Sequence, residues 1–208
     1  MSMNTRVNFP SRRGFLKDLV VGAGGYAFGS LLIHPKEAIG QSIQDYFEKV
    51  PMEARWNFAT GGVVRKQAEI LKRVLDKEGR EKLLEYTKKE GFAMGAANKK
   101  LADRLGFTGN DAKSAAAIIP AVITLFWGPQ QKYEIEEATA QKARVKCINC
   151  AFWANVQANK ITEDLCSSNS RYYWEGFAKG INPKLSSTLV KAMPLGDSVC
   201  EWILELKA

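Results

Sequence analysis

The spacing of apolar residues changes at Pro129, and that change limits the fold more than any other feature. Before it, Val64, Ala68, Leu71 and Leu75 recur at three- and four-residue steps, and Ala93, Ala97, Leu101 and Leu105 do the same. Such stripes mark helices that turn one face to a core. After it, "KYEIEEAT" and "KARVKCIN" alternate in strand fashion, with Val145 and Cys147 on one face. "AFWANVQANK" and "SSNSRYYWEGFAKG" read as helices. "KLSSTLVKAM" and "SVCEWILEL" read as closing strands, the second with Cys200, Trp202, Leu204 and Leu206 on one side. Strands joined by short turns such as "PLGD", residues 194–197, pair most easily antiparallel. The expected class is α+β: a helical N-terminal half, 41–128, packed on a small antiparallel sheet formed by the C-terminal half, 129–208, as one domain.

Punctuation refines this. "GREKLLEYTKKEGFAMGAANKKLADRLG" holds one long helix or two, with Gly91 and Gly95 as weak points and Gly106 as a stop. "TGNDAKSAAAIIPAVITLFWGP" holds the next helix, capped by Asn110 or Asp111 and ended by Gly128-Pro129. Its apolar run, Ala115 to Trp127, is thirteen residues long and contains Pro120 and Thr124. A membrane span needs about 20 apolar residues, so this run reads as a buried helix.

The first 40 residues read as an export signal. "SRRGFLK", residues 11–17, precedes the uncharged stretch Leu19–Ile33, which is fifteen residues long. A basic segment followed by an apolar one of this length directs a chain across a membrane. Arg12, Arg13, Phe15 and Leu16 resemble a twin-arginine (Tat) signal, which implies the Tat translocase as a partner and the periplasm or the outer membrane face as the destination. The small residues of Ala38-Ile39-Gly40 suit cleavage; retention as an anchor is the other outcome. The Tat route carries folded proteins, often with a cofactor aboard, so the remainder of the chain is searched for a cofactor site.

Charge and histidine content exclude several functions. The net charge of +8 includes +3 from residues 1–40 (Arg6, Arg12, Arg13, Lys17 and Lys36 against Asp18 and Glu37), leaving +5 for the rest. Those positives alternate with acids at helical spacing, as on solvated helix faces, so no nucleic-acid partner is expected. The one histidine is His34. Residues 41–208 therefore offer no Ser-His-Asp or Cys-His pair and no histidine ligand for a metal or haem.

All four cysteines fall late in the chain: Cys147, Cys150, Cys166 and Cys200. A C-x2-C pair lets two sulfurs converge, and two further thiolates complete a four-sulfur site suited to zinc or an iron–sulfur cluster. Two disulfides, with three possible pairings, are the alternative for an exported chain. A redox dithiol at Cys147 and Cys150 is a third reading. As nucleophiles, Cys150 beside Lys146 or Arg144, and Cys166 beside Glu163 or Asp164, are the candidates. Trp153, Tyr172, Tyr173, Trp174 and Trp202 lie near these cysteines in sequence, as core or as an apolar shell.

"GINPKLSSTLVKAMPLGDSVCEWILEL", residues 180–206, resembles the end of L-2-amino-thiazoline-4-carboxylic acid hydrolase-like proteins. Gly180, Asn182, Pro183, Leu185, Met193, Gly196, Cys200, Glu201 and Trp202 fit that pattern, and "NCAFW" around Cys150 is similar to an upstream element. The resemblance implies a small-molecule-binding protein, a hydrolase of cyclic C–N/C–S substrates or a relative with another task. Two departures stand out: "STLVKA" replaces an Arg-Thr strand, and "CSSNSRYYW" lacks an acid after its cysteine. Two functional expectations follow. One is an exported small-molecule-binding, hydrolase-like protein. The other is a non-catalytic iron–sulfur or zinc subunit of a membrane-associated complex, meeting a redox partner through its four cysteines.

Overall fold

The structure is a computed structural model that describes residues 48–207. The stretch read as an export signal, with Arg12, Arg13, Phe15 and Leu16, lies outside the described residues. The chain divides after Pro51, and Met52–Ala208 forms one compact unit. Among the described residues no helix is long and apolar enough to cross a membrane.

Three long helices come first: α1, Met52–Glu78; α2, Arg80–Arg104; and α3, Ala112–Trp127. The strands β1, Lys132–Ala138, and β2, Lys142–Asn149, form a hairpin, and α4, Ala151–Ala158, follows at once. A one-turn π-helix, Cys166–Ser170, runs into α5, Arg171–Ile181. Strands β3, Leu185–Lys191, and β4, Cys200–Leu206, make a second hairpin around a 3-10 turn at Met193–Leu195. The sheet order is β1-β2-β4-β3 with every pair antiparallel. The α+β architecture expected from the period change is the one observed, with the sheet built by the C-terminal half.

Strand β2 alternates as its residues demand, whereas β1 is exposed along almost its whole length and β4 buries Glu201 as well as its apolar face. Ala143, Val145 and Cys147 of β2, and Cys200, Trp202 and Leu204 of β4, are buried on the inner face, against α3 and α5. Side chains two apart share a face, so the intervening residues point outward. There Lys142 pairs with Glu205, Lys146 with Glu136, and Arg144 and Lys191 with Glu201. Asp111 caps α3, accepting the Ser114 N–H at 2.7 Å. Pro120 sits inside α3 without ending it. Turn "PLGD" works through Gly196, at φ +99°, and Asp197, whose carboxylate accepts the Ala192 N–H at 2.8 Å.

Helix α2 departs from expectation. It runs unbroken through Gly91 and Gly95, and its buried residues are Leu83, Thr87, Gly91, Gly95 and Ala102. The stripe read from the sequence is not its core face: Ala97 and Leu105 are exposed, Ala93 and Leu101 half-buried. The cause is backbone contact with α5. A Cβ at Gly95 would lie 2.0 Å from the Tyr173 carbonyl oxygen, and one at Gly176 would lie 2.2 Å from that of Phe92. A Cβ at Gly91 would meet the Asn169 oxygen at 2.7 Å, inside the π-turn. Gly91-x3-Gly95 on α2 thus interlocks with Gly176-x3-Gly180 on α5, and the glycines are contact points where helix breaks were expected.

Candidate functional site

The four cysteines come from four different structural contexts and meet. Cys147 lies on the inner face of β2 with Cys200 directly opposite on β4 and Tyr133 opposite on β1. Cys150 ends the strand segment and caps α4. Its extended backbone turns Sγ toward the helix, where it accepts the Trp153 N–H at 3.3 Å. Cys166 opens the π-turn that leads into α5. Cys147 Sγ donates to the Asn149 carbonyl at 3.3 Å; Cys147 and Cys150 are close enough to shift each other's titration, as are Cys166 and Cys200, and Cys150 lies within electrostatic reach of both Cys166 and Cys200. All four are free thiols.

Helix α2 places the Cys166 turn. Thr87 Oγ1 donates to Ser168 Oγ at 3.0 Å in the interior, and Gly91 admits the Asn169 carbonyl. Asp164 caps the turn, accepting the Ser167 N–H at 3.0 Å. Apolar packing does the same for Cys150: Phe152 and Val156 of α4 pack with Leu71, Leu83, Ile161 and Leu165 in a second core. Cys150 borders both this core and the main one, to which the other three thiols belong.

The protons are unevenly shared. The Cys147 hydrogen bond lowers the pKa of Cys150 to about 7, helped against burial by the Trp153 and Phe152 N–H groups and by Gln131. Cys147 moves the other way: its contact with Cys150, then burial and the nearby sulfurs, hold its proton in place. The second pair repeats the pattern. Cys200 is lowered by the hydrogen bond from Cys166 and by the Met193 N–H, 3.3 Å away, while Cys166 is raised by Cys200, burial and the negative charge of Asp164. One thiol of each pair is the readier to ionise, and each such sulfur has a backbone N–H pointed at it.

The sequence did not point to Gln131. It is buried, and its side chain ties three elements together. Nε2 donates to Cys147 Sγ at 3.1 Å and to the Tyr133 hydroxyl at 2.9 Å, and Oε1 accepts the Ala151 N–H at 2.9 Å. Nothing in "GPQQKY" distinguishes it from the exposed Gln130, since neither period extends into that turn.

Cys150 is not paired with Lys146 or Arg144. Lys146 and Arg144 point to the outer face, where they hold Glu136 and Glu201, because residues one and three before Cys147 cannot share its side of the strand. Asp164 raises the Cys166 pKa instead of activating the thiol. Nor do the five aromatics form one shell. Trp174 and Trp202 stack at 4.4 Å and 10° in the same core as Cys147, Cys166 and Cys200. Tyr173 meets Phe177 edge-on and accepts from Asn98, Tyr172 lies under Lys88 outside, and Trp153 packs on the second core. The Trp202 Nε1 and Ser187 Oγ atoms are buried without a hydrogen-bond partner.

Among the described residues no group of three or more His, Cys, Asp or Glu side chains stands arranged as a metal centre. An open cleft of about 340 Å³, lined by Arg80, Glu85, Lys88, Asp164, Ser167 and Tyr172, lies beside the π-turn.

No protein-family model and no curated protein sequence matches the chain. Among solved structures it is similar to the crystal structure of the phenol-responsive sensory domain of the transcription activator PoxR with phenol. The TM-score is 0.53 at 12% identity, over 69% of this chain and 74% of that one. At that identity the likeness is one of fold.

Proposed function

We propose that this chain is an exported, non-catalytic protein whose Cys147, Cys150, Cys166 and Cys200 hold zinc or an iron–sulfur cluster, as a redox or accessory subunit of a membrane-associated complex. The observation that carries the reading is that the free thiols Cys147, Cys166 and Cys200 share one core and the fourth, Cys150, packs against it. The donor set is all sulfur, which favours zinc or iron–sulfur over harder ions. Backbone N–H groups aimed at Cys150 and Cys200 favour their thiolate forms. Cys147 and Cys166, whose protons are held most firmly, would have to give them up to ligate an ion alongside Cys150 and Cys200. A site closed by four thiolates leaves no position for a hydrolytic water, which suits a structural or electron-carrying role. Anaerobic purification of the full chain with iron and zinc assays tests this. About one zinc or one cluster per chain is expected, lost in Cys166→Ser; a metal-free protein that takes up neither on reconstitution overturns it. Export is tested separately: Arg12→Lys with Arg13→Lys should leave the folded protein in the cytoplasm.

A second reading is small-molecule binding. The shared fold with a domain that responds to phenol supports it, as do the unpartnered Trp202 Nε1 and Ser187 Oγ. Those residues are diagonal neighbours on the inner face of β4 and β3. A hydrolase of cyclic C–N/C–S substrates is its enzymatic form, with Cys150 as the one partly accessible thiol. Calorimetric titration with phenol, and turnover of L-2-amino-thiazoline-4-carboxylic acid by the wild type but not by Cys150→Ser, would favour this reading over the first.

A further inference from the structure

The two outer strands of the sheet differ as edges. Among the described residues, β1 and β3 each have a neighbouring strand on one side only. An open edge is a template for another strand, and charges and bulges are what blunt it. β1 is blunted in both ways. Its seven residues, KYEIEEA, hold three glutamates and a lysine, and two register shifts interrupt its pairing with β2. A second β1 laid against it about Ile135 would set Glu134 opposite Glu136, like charge on like. β3 has no charge from Leu185 to Val190. Its register with β4 is regular from Leu185 to Leu189, and Thr188 and Val190 are exposed.

That regular stretch, Leu185-Ser186-Ser187-Thr188-Leu189, is close to a palindrome about Ser187. We propose that β3 is a homodimer edge, at which β3 of a second copy pairs antiparallel about a twofold axis at Ser187. A twofold contact uses the same patch on both copies, so its residues must suit one another in reversed order. Here Leu185 meets Leu189, Ser186 meets Thr188, and Ser187 meets its own counterpart. The faces agree as well. Leu185, Ser187 and Leu189 stand opposite Leu206, Leu204 and Trp202 on the inner face, so Ser186 and Thr188 point outward. Every pair across the axis joins residues of one face, and both surfaces of the sheet continue into the second copy. Lys184 falls opposite Val190 and Lys191 opposite Pro183. A slip of one residue would set Lys184 against Lys191, but it would also set inner residues against outer ones. Ser187 Oγ, buried without a hydrogen-bond partner in the single chain, gains one in the pair. Directly opposite residues have Cβ atoms about 4.5–5.5 Å apart, within reach of a hydroxyl–hydroxyl bond.

The contact uses none of the cysteines. A metal-bearing monomer would therefore sink this claim alone, and a metal-free dimer the metal reading alone. The test is sedimentation velocity of the purified full chain from low micromolar to submillimolar protein, with hydrogen exchange on the same samples. A short strand pair is a small contact, below about 1,200 Å², the class of weak associations. A monomer–dimer equilibrium within that range is expected, with amide protection that rises with concentration in residues 185–189 and not in β1. Two double variants at the outward positions test the register. Ser186→Lys with Thr188→Lys sets like charges opposite each other twice across the axis, whereas Ser186→Glu with Thr188→Lys sets opposite charges there. The first should dimerise roughly tenfold or more weakly than the second, with circular dichroism at the lowest concentration confirming that both are folded. A chain that stays monomeric throughout the series, a dimer protected elsewhere than β3, or equal affinities in the two folded variants overturns the proposal. The wild-type exchange map needs no variant to fold.

Discussion

At the scale of single residues, the site rests on side chains that hold others in place. Cys150 titrates low because Cys147 and the α4 backbone stabilise its thiolate. In the reduced, metal-free protein its alkylation by iodoacetamide should rise as pH increases through about 7, below the ~8.5 of a free thiol, and that step should vanish in Cys150→Ser. Gln131 carries a heavier structural duty than its sequence suggests. Gln131→Ala leaves the Ala151 N–H without its acceptor and the Tyr133 hydroxyl without its donor, and should lower stability by about 1–3 kcal/mol in urea unfolding. Glu201 is a buried carboxylate on the otherwise solvated sheet face. Burial pushes its pKa up, but Lys191, 3.1 Å away, and Arg144 outweigh it and hold the carboxyl below its ordinary range. A carboxylate lowered on folding adds stability above its unfolded pKa and loses it as pH falls through the folded one. Wild-type urea midpoints should therefore drop in the acid range more steeply than those of Glu201→Gln, which starts less stable by roughly 1–3 kcal/mol at neutral pH. These duties also explain the C-terminal motif. Gly196 holds a left-handed turn, Asn182 bonds the Asn110 carbonyl and the Lys184 N–H, and Trp202 stacks in the core. Motif residues read from the sequence as signs of a family are here parts of the frame.

At the scale of elements, the decisive contact is α2 on α5. Gly95→Ala forces a Cβ against the Tyr173 carbonyl and should destabilise by about 1–3 kcal/mol or more, since backbone cannot rotate away as a side chain can. Gly61, in α1 with nothing within 4 Å of a Cβ, is the control: Gly61→Ala should be neutral or stabilising by up to about 1 kcal/mol. Equal losses in both variants would show that helix propensity, not contact, governs. The strands were legible because an alternating period has one reading: Val145 with Cys147, and Cys200 with Trp202 and Leu204, all lie inward as their spacing required. The face of α2 was not legible. Apolarity pointed to Ala97 and Leu105, but a helix that must touch another backbone selects for the absence of a side chain, and glycine carries no hydropathy signal. Cys166 in a π-turn was hidden for a related reason, because "CSSNS" reads as the ordinary start of a helix.

At the scale of the whole molecule, two cores join at Cys150 and Trp127. The main core fills the space between the sheet and α3 and α5; the second lies among α1, α2 and α4. If a metal closes the site, it joins β2 and β4 to the α4 and α5 ends. Saturating zinc at 100 times its dissociation constant should then add about 2.7 kcal/mol and raise Tm with metal concentration. Chelation should reverse the gain, whereas two disulfides would give a Tm indifferent to chelators and sensitive to reductant. The spacing C-x2-C suggested a shared site, but only tertiary structure brings Cys166 close to Cys200, with thirty-three residues between them in sequence. The glycine interlock bears on that pair as well. Because α5 rests on α2 main chain to main chain, the span from one sulfur to the other is ruled by bond lengths and atomic radii, not by how rotamers relax. A single methyl group inserted at that seam, at Gly95 or Gly176, would widen that span.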